Sequence, residues 1–287
     1  MKAGIMGDII LDILLKLNAF PKEDSEVKLI SEKFAIGGSA FNTASEMICT
    51  PVEPMLISSF GYDKEGIIIA SQLSPLTMNQ KYIRQIETNT GKIYILLTSE
   101  GKRTMLSSRS KKPLPEMGEI YDEFLSEINW LHVSGYLLTE KREYDITTEV
   151  IKMANKKGIP VSVDPGTNTV IHNTDELLAI LPFTDYFLPN REEFILLKAN
   201  SDFEQLLKAS KLNVVIKDGM YGATAIIANK TISIKAREIP DCTNTVGAGD
   251  AFNAGFISGM LQYTDASRIH RACERGNEFA YRRLSHK

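Results

Sequence analysis

The stretch Asn244-Thr245-Val246-Gly247-Ala248-Gly249-Asp250-Ala251-Phe252 holds the residue types closest to a chemistry. Two glycines flank Ala248 and precede an apolar helical pattern of Phe252, Phe256, Ile257 and Met260. A glycine-rich helix N-terminus presents unpaired N–H groups and the positive end of the helix dipole, which together suit phosphate. Asp250 falls in the first turn of that helix. A carboxylate beside an anion hole is what phosphoryl transfer to a hydroxyl needs. The loop stabilises charge on the transferring group while the carboxylate takes the hydroxyl proton. Taken alone, the stretch also fits an ordinary glycine turn with Asp250 as a capping residue. Other glycine motifs do not fit: there is no GxxxxGK[ST], and Phe252 stands where GxGxxG needs its third glycine.

A second cluster is Ile36-Gly37-Gly38-Ser39-Ala40-Phe41-Asn42-Thr43-Ala44. Adjacent glycines let a ligand approach the backbone closely. Asn42 lies one helical turn further on, where it can point back at the same ligand.

The elements that position these clusters follow from periodicity. Lys2 to Leu17 is mostly apolar and reads as a buried strand. Asp8 and Asp12 interrupt it, so at least one of them is expected at its C-terminal end, near a site. Residues 22–36 alternate charged and apolar positions and suggest short exposed strands. Lys92 to Leu106 reads as strand, Glu100-Gly101 turn, strand. From about Asn129 strands and helices alternate. Trp130 to Gly135 is a strand; Thr139 is the expected N-cap of the next helix, and Gly158 stands where its C′ glycine belongs. Strands follow at Ile159–Asp164, Asp185–Asn190 and Leu212–Lys217, then a hairpin and two last helices from Gly249 and Asp265. This alternation implies βαβ units and a parallel sheet covered on both faces. Ligands bind outside the C-terminal strand ends of such sheets, which is where Asp12, Asp164 and Asn190 are expected.

The 287 residues include 33 basic and 36 acidic ones, a formal net charge of −3. That balance argues against a general nucleic-acid or membrane-surface binder, because phosphate affinity needs a basic excess. A hydrophobic share of 43% excludes bulk disorder. Cys49, Cys242 and Cys273 form no CxxC pair, and the four histidines show no HExxH spacing, so a cysteine or histidine metal site is not expected. The N-terminus carries no leader pattern and no apolar run approaches a membrane span, so a reducing cytoplasm is the expected location.

Gly37-Gly38…Asn42-Thr43-Ala44 and Thr245…Gly247-Ala248-Gly249-Asp250-Ala251-Phe252 together resemble the two signatures of the ribokinase-like (PfkB) family of sugar and nucleoside kinases. Gly61-Tyr62-Asp63…Gly66, Asn190-Arg191-Glu192-Glu193 and Lys217-Asp218-Gly219…Gly222 resemble its secondary motifs, in the family's order along nearly the whole chain. The resemblance implies a three-layer αβα fold with a mostly parallel central sheet. It implies a single domain over 1–287, with strands of a small β lid inserted at roughly 13–36 and 80–108. Asp250 would be the general base, and the N–H groups of Gly247, Ala248 and Gly249 the anion hole. Asp12, Gly37, Gly38 and Asn42 would bind the acceptor. Asn190 and Glu193 would place Mg²⁺ through water, although Asn-x-x-Glu is also a capping box. Lys217, Gly219 and Gly222 would line the ATP site, with Asn277 against the base. The lid would cover the sugar and pair two copies of the chain.

Departures from the family pattern set further expectations. Asn244 replaces an Asp that helps hold a monovalent cation, which argues against strong K⁺ activation. Asp164-Pro165 is followed by Gly166-Thr167-Asn168 without the arginine the family often carries there. A substrate with a carboxylate or phosphate would want that arginine, so a neutral acceptor is favoured. The chemistry expected is ATP-dependent phosphorylation of a primary hydroxyl on a small sugar. A nucleoside acceptor, with Phe34, Phe41 or Tyr94 stacking on its base, and a catalytically silent sugar-binding relative are the alternatives. A dehydrogenase lacks its fingerprint.

Overall fold

The computed structural model describes residues 1–209, 212–228, 230–238 and 245–285. The chain opens with β1 (Lys2–Met6), β2 (Ile10–Leu17), β3 (Ser31–Gly37), α1 (Ser39–Met47), β4 (Glu53–Gly61) and α2 (Lys64–Leu73). Next come β5 (Ile83–Ile86), β6 (Gly91–Thr98), β7 (Arg103–Ser108), α3 (Glu119–Glu127) and β8 (Trp130–Ser134). A 3₁₀ turn at Gly135–Thr139 leads into α4 (Lys141–Lys156), β9 (Val161–Asp164), α5 (Thr167–His172), α6 (Thr174–Ile180) and β10 (Tyr186–Phe187). The last part holds α7 (Arg191–Lys198), α8 (Ser201–Ala209), β11 (Asn213–Lys217), β12 (Ala223–Ile227), β13 (Lys230–Ile234), α9 (Ala248–Gln262) and α10 (Arg268–Ser285).

The main sheet runs in the order β13-β12-β11-β10-β9-β8-β1-β4-β5. Its pairings from β11 to β5 are parallel, and β12 and β13 close one edge antiparallel. Because side chains alternate along a strand, the sheet feeds two cores. Ile5 and Trp130 face one, with Phe41 of α1, Ile69 of α2, Phe252 and Phe256 of α9 and Phe279 of α10. Met6 and Leu131 face the other, with Phe124 of α3, Val150 of α4, Leu177 of α6 and Phe203 of α8. The three layers expected from the alternation are therefore present.

A second sheet, β3-β2-β6-β7, forms the lid. The Lys2–Leu17 run divides here. Gly7-Asp8 ends β1 in the main sheet, and Ile10–Leu17 re-enters as a lid strand paired with β3 and β6. Asp12 consequently lies inside a lid strand, and Asp8 takes the place at the end of β1. Of residues 22–36, only Ser31 onward is strand, and Ile83–Ile86 joins the main sheet beside β4 rather than the lid. Asp63 anchors the lid's return. Its Oδ1 accepts from Gly66 N at 2.9 Å and Thr90 Oγ1 at 2.6 Å, and its Oδ2 from Thr90 N at 2.7 Å. Thr139 ends the 3₁₀ turn instead of capping α4, its hydroxyl bonded to Tyr136 O at 2.9 Å. Phe41, an expected base-stacking candidate, is core. Among the described residues no helix is long and apolar enough to cross a membrane.

Candidate active site

α9 is apolar nearly all round and buried from Ala251 to Leu261, as a helix sandwiched against a sheet must be. Gly247 is its N-cap in the left-handed region, φ +75°, and no side chain caps this end. The Ala248 N–H turns back on Thr245 O at 3.2 Å, so it is drawn into the turn itself. Lys217 Nζ flanks Gly249, 3.5 Å from where a Cβ would stand. The Arg283 guanidinium from the last turn of α10 packs over Gly247 and donates to Glu46 Oε1 of α1 at 2.9 Å.

Asp250, in the first turn of α9, meets the second glycine cluster. Ser39 Oγ donates to its Oδ1 at 2.7 Å and Asn42 Nδ2 to its Oδ2 at 2.9 Å. Burial, then the charge of Asp164, pushes the Asp250 carboxyl up to about 6, against the hydrogen bonds from Ser39 and Asn42 and the charge of Lys217. Gly38, φ +104°, caps α1 where a Cβ would collide with the Asp8 carbonyl. Gly37 gives room to the Asp12 carboxylate packed against it. Burial, then the neighbouring Asp8, raises Asp12 to about 6.

The C-terminal ends of β9 and β11 bring Asp164 and Lys217 together with Asn253 of α9. Lys217 Nζ donates to Asp164 Oδ2 at 2.6 Å and Asn253 Oδ1 at 3.3 Å, while Asn253 Nδ2 donates to the same Asp164 oxygen at 2.6 Å. Burial works against the charge on Asp164. The Lys217 charge and these hydrogen bonds outweigh it and hold the carboxyl below the usual range. The Lys217 side chain at the end of β11 is thus largely enclosed, 11% exposed.

Asn190 and Glu193 form a complete capping box on α7, each bond 2.8 Å, and Thr167 Oγ1 adds a third at 2.8 Å to Glu193 Oε1. Both Glu193 oxygens already accept a hydrogen bond, and no cluster of three or more His, Cys, Asp or Glu able to hold a metal occurs among the described residues. The donor set fits a hydrated Mg²⁺ that takes phosphate oxygens and waters, and not a protein cage. Asn244, which carries the K⁺ expectation, lies outside the described residues.

Asn277, the residue expected against the base, lies on the inner face of α10 beside the end of β13. It is buried, and its Nδ2 donates to Ile234 O at 3.3 Å and Lys235 O at 3.2 Å, pinning α10 to the end of β13. Gly219 and Gly222 shape the turn after β11, at φ +55° and +98°.

Several site residues escaped the sequence reading. Asn253 follows Asp250 by three positions on one helical face, a signal that was there to find. Ser39 sits inside the glycine cluster. Arg109 carried no local signal. It follows the last lid strand, pairs through Nη1 with Asp8 and lies on the Tyr136 ring, 3.6 Å from its centroid.

A family model described as pfkB family carbohydrate kinase matches residues 5–286. An ATP-dependent ribose-1-phosphate kinase from Halopiger xanaduensis is 28% identical over 94% of this chain and 88% of its own length. A nucleoside kinase from Methanocaldococcus jannaschii is 25% identical, covering 93% and 86%. Among solved structures, Arabidopsis thaliana ribokinase complexed with ribose and ATP superposes with a TM-score of 0.81 at 22% identity, covering 99% of this chain and 92% of that one.

Proposed function

This chain belongs to the PfkB family of carbohydrate kinases, phosphotransferases that act on hydroxyl groups of sugars or nucleosides, and on that premise we propose that it transfers the γ-phosphoryl group of ATP to a hydroxymethyl group of a small sugar with Asp250 as general base. The observation that carries this reading is the meeting of Asp250 with Ser39 and Asn42 at the uncapped, glycine-led N-terminus of α9.

In this reading Asp12, Gly38 and Asn42 hold the acceptor hydroxyls. Asp250 takes the proton of the attacking hydroxyl as its oxygen bonds to the γ-phosphorus and the bond to the β,γ-bridging oxygen breaks, releasing ADP. The N–H groups of Gly247 and Gly249 and the Lys217 ammonium stabilise the charge spread over the transferring oxygens. The turn at Gly219 to Gly222 lies beside Lys217 and lines the nucleotide. The lid excludes water, which would otherwise accept the phosphoryl group. Asn190 and Glu193 would hold a Mg²⁺ ion through its waters, and the ion would supply neutralisation of phosphate charge.

The whole chain acts as one kinase unit in this proposal, working in the cytoplasm. The lid also offers a dimer contact: Phe34 of β3 and Met105 and Leu106 of β7 are exposed apolar residues on it. A nucleoside is the second acceptor class, supported by the archaeal nucleoside kinase relative.

The test is ADP release from Mg-ATP across neutral sugars, sugar phosphates and nucleosides, with Asp250→Asn alongside. One acceptor that stimulates the wild type and not the variant supports the reading. Acceptor binding without ADP release under any condition replaces it with a silent binding protein.

A further inference from the structure

We propose that Arg283 is a positioning residue for phosphoryl transfer: its guanidinium holds the Gly247 turn in the form that presents the Gly247 and Gly249 N–H groups to the transferring group. The inference rests on the kinase reading above and adds to it a residue from the last turn of α10.

The turn needs such a hold. With the Ala248 N–H drawn onto Thr245 O, the anion hole rests on the N–H groups to either side. Their directions follow the Gly247 dihedrals, and Gly247 stands at φ +75° with no side chain capping the helix end. Glycine enters positive and negative φ about equally readily, so Gly247 permits this turn without enforcing it.

Arg283 occupies the space beside that glycine. Its Nε, Nη2 and Cζ lie 3.2, 3.3 and 3.5 Å from where a Gly247 Cβ would stand, so this edge of the guanidinium faces the turn. The remaining nitrogen, Nη1, donates to Glu46 Oε1 of α1 at 2.9 Å. Glu46 stands one helical turn after Asn42, whose amide donates to Asp250 Oδ2. One face of α1 therefore holds Asp250 directly and the preceding turn through Arg283, so the proposed base and the anion hole share a frame.

The edge facing the turn also keeps unspent donor capacity. Arg283 Nε is enclosed and has no hydrogen-bond partner among the described residues. Glu46 binds at the nitrogen that does not face Gly247, so the ion pair presents its positive end to the turn. A fixed positive charge there favours the anion that the N–H groups receive. Lys217 does not duplicate this role. It stands on the Gly249 side of the turn and pairs with Asp164, whereas Arg283 stands on the Gly247 side.

The experiment measures kcat and acceptor KM for the wild type, Arg283→Ala, Arg283→Lys and Glu46→Gln, with thermal melts on each. Every assay is run with millimolar guanidinium chloride and with sodium chloride at equal ionic strength. Arg283→Ala is expected to lower kcat about 10- to 100-fold and to leave acceptor KM unchanged, because Ser39 and Asn42 still hold Asp250. Guanidinium ion, seated on Glu46 in the vacated space, restores part of the lost kcat. Arg283→Lys keeps the charge and loses the planar fork, so it falls between. Glu46→Gln loosens the anchor and loses less than Arg283→Ala. A purely structural role would lower the melting temperature without guanidinium rescue. A kcat at the wild-type level, a loss that guanidinium leaves untouched, or a loss matched by a rise in acceptor KM overturns the proposal and leaves the kinase intact. If Arg283→Ala does not fold, Arg283→Lys decides: reduced kcat at unchanged acceptor KM upholds the proposal, and wild-type kcat overturns it. If no acceptor releases ADP from the wild type, the kinase reading fails. Calorimetric affinities for Mg-ATP and Mg-ADP then decide: a wild-type preference for the triphosphate that is lost in Arg283→Lys upholds the role of Arg283 at the turn, and an absent or unchanged preference overturns it.

Discussion

The Asn42 amide donates to Asp250 Oδ2 at 2.9 Å across 208 positions of sequence. That bond ties α1, which follows directly from lid strand β3, to the first turn of α9. The residue proposed to hold the acceptor thereby also orients the proposed base. Such coupling supplies the near-attack geometry before chemistry begins.

Replacing Asp250 by Asn should lower turnover about 10²- to 10⁴-fold while Mg-ATP still binds. The same variant should be more stable at pH 7. Asp250 has a raised folded-state pKa, so its ionised form costs stability above the ordinary carboxylate range, and the amide removes that cost, about 1 kcal/mol for a half-buried group. Thermal melts and calorimetry with Mg-ATP check both halves.

Activity should depend on pH through the same carboxyl. A base works deprotonated, and Asp250 stands at about 6, so kcat is expected to fall as pH drops through 6. Ser39 donates to the ionised form and holds the pKa down. In Ser39→Ala the acid limb should therefore move to higher pH. A limb that stays in place or moves down would dissociate Ser39 from the base.

Lys217→Met should cost about 3–5 kcal/mol, because it leaves Asp164 buried without its cation. The deficit depends on pH. Asp164 is depressed in the wild type, so its contribution is present above the unfolded carboxylate value and lost as pH falls through the folded one. Urea denaturation at neutral and acid pH should show the gap between variant and wild type narrowing on the acid side. Exchanging Asp164 for Asn as well should recover part of the loss.

Gly38→Ala should destabilise by about 1–3 kcal/mol, since it combines a left-handed φ with a backbone clash at Asp8. The clash displaces the turn before Asn42, so KM for the acceptor should rise in steady-state kinetics.

What could be read from the sequence alone depended on neighbours within a few positions. The glycine N-terminus of α9, the Asn190–Glu193 box, the Gly158 C′ position and the turn at Gly101 follow from local dihedral and hydrogen-bond rules. The strand–helix alternation carried the layered fold for the same reason. Asp12 lies away from its expected strand end because a mostly apolar run interrupted at Asp8 and Asp12 looks like one strand, and pairing with β3 and β6 assigns its second half to the lid. Asn277 reads as a polar helical residue until β13 ends against it. Lys217 finds Asp164 53 positions away, and Arg109 finds Asp8 101 positions away. Sheet order and lid placement set those encounters, and buried charges must find partners wherever the fold delivers them.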